Sequence, residues 1–210
     1  MTVFIIRNDF AKRFIVIGLS LAMVGFMIGC ATNIKASATI NVPPHEKLSN
    51  FQQFEIKQVT MPKKANEDSA NRRALIKIQE NMNNNLSATI AEWNSRGNPE
   101  GRKLVIEPVI EEIKFVSSGT RVFFGPMAGS SAVRMKLLLI DDASEQLIGE
   151  PEFYQRAEAW AGAFTIGVHD NLMMTRIASL ASDYIINNYD QAIGGPTGAT
   201  DALVDNTVKQ

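Results

Sequence analysis

From Ala132 to Asp141 the chain alternates. Val133, Met135, Leu137 and Leu139 take one parity, and Ala132, Arg134, Lys136 and Leu138 the other. A period of two predicts a strand with one buried face. After the polar turn Asp141–Gln146, Leu147–Gly149 and then Pro151–Trp160 return as the second arm of a hairpin. In that arm Tyr154, Arg156, Glu158 and Trp160 share one face, and Phe153, Ala157 and Ala159 the other. Upstream, Phe51–Thr60 is strand-like, with Phe54, Ile56 and Val59 as its apolar positions. Leu104–Val116 is β-branched and changes parity: Leu104, Ile106 and Ile110 on one face, Ile113 and Phe115 on the other. That change predicts a bulge near Pro108–Glu112, with Pro108 at the bulge or on a sheet edge.

Two stretches carry helical spacing instead. Leu75, Ile78, Met82, Leu86, Ile90 and Trp93 recur every three or four residues and form one stripe. Asn94–Pro99 ends that helix with glycine and proline. Leu172/Met173, Ile177, Leu180/Ala181, Tyr184 and Ile185 form a second stripe, with Asp170 or Asn171 as its cap. The expected fold is a single α/β (α+β) domain. Its sheet is mixed or antiparallel, of about four strands, with two main helices packed on it. The order is strand, helix, three strands, helix. Residues 51–190 are assigned to this domain, and residues 191–210, from Ala192-Ile-Gly-Gly-Pro onward, to a disordered tail.

The first part of the chain has neither period. Phe14–Cys30 is an unbroken apolar run preceded by Arg7, Lys12 and Arg13 and ending in Met27-Ile28-Gly29-Cys30. This is a signal-peptide layout. The apolar run, about 15 residues, is short of the ~20 that a spanning helix needs. Its tail resembles the bacterial lipoprotein signal, in which the cysteine is acylated and becomes the first residue after cleavage. Cleavage between Gly29 and Cys30 suits a protease site that accepts a small residue. Residues 1–29 are then the signal, and Cys30 attaches the protein to the lipid bilayer. Residues 30–50 form a lipidated terminus and a tether with a reach of tens of ångströms. By the same resemblance, Ala31 rather than Asp after the cysteine directs such a protein to the outer membrane, facing the periplasm.

Composition narrows what the domain does. Removing the signal takes away three basic groups and one acidic group, which leaves a slightly acidic chain with no pull on nucleic acid. Cys30 is the sole cysteine, so no internal disulfide forms and stability rests on a hydrophobic core. The remaining length, roughly 180 residues, is enough for one.

No coherent reactive cluster emerges, and the expectation is a protein that is not an enzyme and needs no cofactor or metal. His45 stands alone in a polar segment. His169-Asp170 has no nucleophile elbow to complete a triad. Gly125-Pro-Met-Ala-Gly129-Ser-Ser lacks the lysine of a phosphate loop and precedes a strand rather than a helix. That loop is read as structural. Its Phe123, Phe124, Gly125 and Gly129 are the candidate partner or membrane contacts. Glu107, Glu111 and Glu158 are the carboxylates that a hydrolase of envelope polymers would need to converge.

The segment Arg121…Gly125-Pro-Met-Ala-Gly129-Ser-Ser-Ala-Val-Arg-Met-Lys-Leu-Leu-Leu-Ile-Asp141 resembles an uncharacterised bacterial lipoprotein family described only as a domain of unknown function. That family pairs a Gly-Ala-Gly-Ser-like loop with an alternating strand that ends in Asp and a turn. This chain departs from it at Met127 and Ala128, where Gly-Ala is usual, and at Glu145, where the turn usually has Gly. The element order is also similar to domains of curli-secretion-type lipoproteins, penicillin-binding-protein activators and the N-terminal part of the Tol translocation protein. The resemblance implies an envelope lipoprotein that binds or assembles with another envelope protein, or with itself. The alternatives are a subunit of an oligomeric secretion or pore apparatus and, behind it, the hydrolase.

Overall fold

A computed structural model describes residues 34–116, 130–157 and 168–199. Strand β1 (Ile40–Asn41) precedes a 3₁₀ turn (Leu48–Asn50) and β2 (Gln53–Ile56). Helices α1 (Lys63–Asn66) and α2 (Ser69–Arg96) follow, then β3 (Lys103–Lys114), β4 (Ser131–Asp141), β5 (Leu147–Gly149) and β6 (Glu152–Ala157). Helix α3 (Val168–Asn187) and β7 (Gly195–Pro196) complete the described fold. It is the expected α+β arrangement, with a five-stranded mixed sheet and a small β1–β7 ribbon added.

β2 runs parallel to β3. β4 pairs antiparallel with β3 on one side and with β5 and β6 on the other. A parallel neighbour needs a long crossover, and α2 supplies it. Asp68 caps α2 by accepting from the N–H groups of Ala70 at 2.6 Å and Asn71 at 3.3 Å. At the other end the chain turns at Gly97, where a Cβ would lie 1.8 Å from the Gln52 carbonyl oxygen. The ladder between β3 and β4 shifts register between Ile110 and Glu112, so the bulge falls where the parity change predicts. Pro108 lies two residues before it, in a strand paired on both sides. Thr60 donates to the Pro108 carbonyl at 3.0 Å and accepts from Ile110 at 2.8 Å, and Lys57 donates to Ile106 at 2.9 Å. The missing proline N–H falls where the chain leaves β3 between Lys57 and Thr60, and costs no bond.

Both long helices pack on one face of the sheet. The main core joins Ile78, Met82, Leu86 and Trp93 of α2 with Met173, Ile177, Ala181 and Ile185 of α3. The sheet contributes Leu104, Ile106, Val133, Met135, Leu137, Leu139 and Phe153. Both predicted stripes are therefore core, although Leu172 is exposed. Trp93 stacks on Tyr189 at 4.0 Å and closes this layer beside Phe54. A smaller cluster of Ile34, Ala132 and Tyr154 lies on the opposite face.

Two stretches differ from expectation. From residue 34 onward, the segment read as a free tether is packed on the domain. Ile34, Pro44 and Leu48 are buried, and Leu48 N–H donates to the Asn188 carbonyl at 2.9 Å. The start of the predicted tail is also ordered, and Gly195–Pro196 pairs with Ile40–Asn41. Asn188 holds that return: its side chain accepts from Ile193 and Gly194 N–H, both at 2.8 Å, and donates to the Gly194 carbonyl at 3.0 Å. Gly194 and Gly198 take φ of 76° and 84°, the left-handed region, so glycine here makes turns rather than disorder. Helix α3 begins at Val168, ahead of the predicted caps.

Candidate functional site

Each edge of the large sheet meets an asparagine side chain. At β2, Asn94 Oδ1 accepts from Phe54 N–H at 2.7 Å, and Asn94 Nδ2 donates to the Phe54 carbonyl at 2.9 Å. At β6, Asn41 Oδ1 accepts from Glu152 N–H at 2.8 Å, and Asn41 Nδ2 donates to the Glu152 carbonyl at 2.8 Å. A carboxamide carries one acceptor and one donor side by side, the pair that a neighbouring strand would offer. The β6 edge continues with Tyr154 N–H donating to the Thr197 carbonyl at 2.8 Å. A third asparagine, Asn71, accepts from Phe115 N–H at 2.9 Å just past the end of β3. These caps occupy the edge positions that a partner strand would use.

The face opposite the helices presents charge. Arg134 of β4 pairs with Glu111 at 3.2 Å, Glu112 at 2.6 Å and, more distantly, Glu152 at 3.8 Å. Lys136 pairs with Glu150 at 2.8 Å and Glu111 at 3.0 Å. Hydrogen bonds from Lys136 to Glu150 and Glu111 raise the lysine pKa, so it stays charged. Glu107, opposite Leu138, is on this face as well. Glu111 already holds two cations, which suits a structural ion-pair network better than proton transfer. Glu158 lies outside the described residues. Among the described residues, no group of three or more His, Cys, Asp or Glu is placed to hold a metal.

The N-terminal segment is fastened across this face and over the β6 edge. Ile34, 3% exposed, packs on Ala132 and Tyr154. Ser37 donates to the Glu152 carboxylate through its N–H at 2.7 Å and its hydroxyl at 2.8 Å. Thr197 N–H donates to the Thr39 carbonyl at 3.1 Å, and the Thr197 hydroxyl to the Ala38 carbonyl at 2.7 Å. Asn41 then reaches the Glu152 backbone. Further along, Tyr184 Oη donates to the Val42 carbonyl at 2.9 Å, and burial pushes the Tyr184 pKa up to about 12. Arg102 bridges Glu46 at 2.8 Å and Asp141 at 2.7 Å. Those hydrogen bonds to Arg102 hold both carboxyls below their ordinary range.

Cys30 and Gly29 lie outside the described residues, as do Phe123, Phe124, Gly125 and Gly129 of the glycine loop. The described chain leaves for that loop after Val116 and returns at Ser130, next to the start of β4. Ala132, on which Ile34 packs, is the second residue of that strand. His45 is exposed, and its N–H donates to the Ile148 carbonyl at 2.8 Å. Sequence reasoning missed the fastening of residues 34–41 and the asparagine caps. The one local signal was Asn188 followed closely by Gly194-Gly195-Pro196.

No family model and no curated protein matches the chain. Among solved structures, the PelC dodecamer from Paraburkholderia phytofirmans aligns at 11% identity and a TM-score of 0.36. The alignment covers 68% of this chain and 97% of that one. A presumed lipoprotein from Caulobacter crescentus CB15 aligns at 13% identity and a TM-score of 0.32, covering 67% of this chain and 91% of that one. Overlaps this loose leave the functional reading to the chain's own residues.

Proposed function

We propose that this chain is an acylated envelope lipoprotein, anchored at Cys30, whose α+β domain serves as a non-catalytic binding or assembly module for another envelope component. One observation carries the reading: the apolar run Phe14–Gly29 ends on the sole cysteine, behind a basic start. Among the described residues, no helix is long and apolar enough to cross a membrane, and the anchor of this reading is the acyl chains themselves. Following Ala31, the expected address is the outer membrane, with the domain on the periplasmic side.

The asparagine caps shape how such a module docks. With Phe54 and Glu152 already hydrogen-bonded at their outer edges, docking by strand addition is disfavoured there. The surfaces left for a partner are the charged face of β3 and β4 and the loop bearing Phe123 and Phe124. The test is crosslinking in intact cells from photoreactive residues placed at Glu107, at Phe124 and, as a buried control, at Leu137. A specific adduct from Glu107 or Phe124, absent from Leu137, is expected. No specific adduct at either surface removes the binding-module reading.

A further inference from the structure

Three large aliphatic side chains stand in water together on the small β1–β7 ribbon: Ile40 is 70% exposed, Val42 79% and Ile193 60%. Ile40 and Val42 flank the buried Asn41. Successive side chains of an extended segment point opposite ways. Asn41 reaches the Glu152 backbone of β6, so its two neighbours point away from the sheet. Ile193 joins them through the backbone. A Cβ on Gly194 would lie 2.3 Å from the Asn41 carbonyl oxygen and 3.1 Å from the Val42 carbonyl carbon, so the two chains touch there. Pro196, the cross-strand partner of Ile40, is exposed as well. The backbone that presents these side chains is fixed. Tyr184 Oη donates to the Val42 carbonyl at 2.9 Å, and Ile193 N–H donates to Asn188 Oδ1 at 2.8 Å.

The ribbon also lacks charge. No Asp, Glu, Lys or Arg occurs from Ala36 to Pro44 or from Gln191 to Ala199. Lys35, Glu46 and Asp190 stand at its borders, and Ser37 occupies the Glu152 carboxylate beside it. An aliphatic patch rimmed by polar residues marks a contact surface with protein or membrane.

Resting on the lipid anchor just proposed, chain length decides between the two. Between Cys30 and the buried Ile34 the chain has only Ala31, Thr32 and Asn33. Four residue steps span at most about 14 Å when fully extended. The slack of tens of ångströms expected for a tether of residues 30–50 is therefore absent. Ile40 follows Ile34 by six steps, at most about 21 Å more. The bilayer that holds the acyl chains is thus an apolar phase always within reach of this patch.

We infer that Ile40, Val42 and Ile193 enter the boundary between headgroups and acyl chains of that bilayer, laying the domain on its β6 flank with the β2 edge turned away. Aliphatic side chains enter this boundary readily when no charge must be desolvated with them. The acyl chains limit distance, and the ribbon selects orientation.

The experiment uses the mature acylated chain in phosphatidylcholine vesicles whose acyl chains carry bromine, a quencher of fluorescence at short range. Acylation consumes the only native thiol, so Val42→Cys and Ser95→Cys each take a fluorophore cleanly. Ser95 is exposed beside Asn94, at the opposite edge of the sheet. The label at position 42 is expected to be quenched several-fold more than the label at position 95. Ile40→Ser with Ile193→Ser should remove most of that contrast while the protein stays vesicle-bound; both positions are exposed, so the fold is not at stake. The contrast should persist in about 1 M salt, where the Debye length falls to about 3 Å. Equal quenching of the two labels in an acylated, vesicle-bound protein overturns this inference alone. So does a contrast indifferent to the serine substitutions, or one abolished by salt. A label at position 42 that is shielded from water yet unquenched by the lipid also overturns it, because the patch then faces protein: a second copy if the shielding rises with protein concentration, residues 201–210 if it vanishes on their removal. A mature protein without acyl chains on Cys30 overturns the anchor and this inference together.

Discussion

The two edges of the sheet are closed by the same chemistry and differ in what the closure holds. At β2 the cap is Asn94, carried on α2, a helix that the core would fix in place anyway. At β6 the cap is Asn41, carried on a segment without a helix or long strand of its own. Both carboxamides make the same paired bonds, at 2.7–2.9 Å, to one residue of the edge strand. Asn94 therefore protects an edge that packing has already built. Asn41 does that and also binds the N-terminal segment to the sheet. The difference teaches that one edge motif can be a finishing detail in one place and a mounting in another.

Removing both caps should have the largest effect. The two sites share no partner, so their losses should nearly add. Asn41→Ala with Asn94→Ala is expected to cost about 3 kcal/mol in chemical denaturation, with new self-association through bare edges. Asn41→Ala alone should cost about 2 kcal/mol, because its site is buried and Glu152 would be left without backbone partners. Asn94→Ala should cost about 1 kcal/mol, since water reaches that half-exposed position. Hydrogen exchange separates the two further. Only Asn41→Ala should open residues 37–42 while the core amides stay protected; equal protection of these residues in both variants would break the distinction.

A smaller effect comes from acid. Glu46 and Asp141 have depressed pKa values in the folded state because Arg102 hydrogen-bonds to both. Their contribution is fully present above the ordinary carboxyl values of 4.5 and 3.8, and is lost as pH falls through the lower folded-state values. Arg102→Ala should therefore flatten the fall in thermal midpoint below about pH 4 while costing at most about 1 kcal/mol near neutrality. The smallest change lies far from either edge. Glu145 adopts a φ of 56° in the hairpin turn, and Glu145→Gly should stabilise the protein by up to about 1 kcal/mol in the same denaturation assay.

Legibility followed periodicity. The stripe Ile78–Met82–Leu86–Trp93, the alternation Val133–Leu139 and the parity change in β3 each repeat a spacing that only one geometry satisfies, and each appears in the fold as expected. The polar turn Asp141–Gln146 was legible from its composition, although the positive φ of Glu145 within it was not. Residues 34–50 and 193–199 were not legible. Their fixing comes from single long-range bonds, such as Ser37 and Asn41 to Glu152 or Asn188 to Gly194, and an isolated side chain leaves no period to read. Gly194-Gly195-Pro196 also has the composition of a flexible tail, although two of the glycines nearby serve turns with positive φ.

Every functional statement above depends on what happens at Cys30, and the mass of the mature N-terminal peptide measures it directly. Protein purified from the membrane fraction should begin at Cys30 and carry the added mass of acyl chains on that residue. It should also lose both the processing and the membrane association when Cys30 is replaced by serine. A mature chain that begins elsewhere, or that begins at Cys30 with an unmodified thiol, would contradict the account.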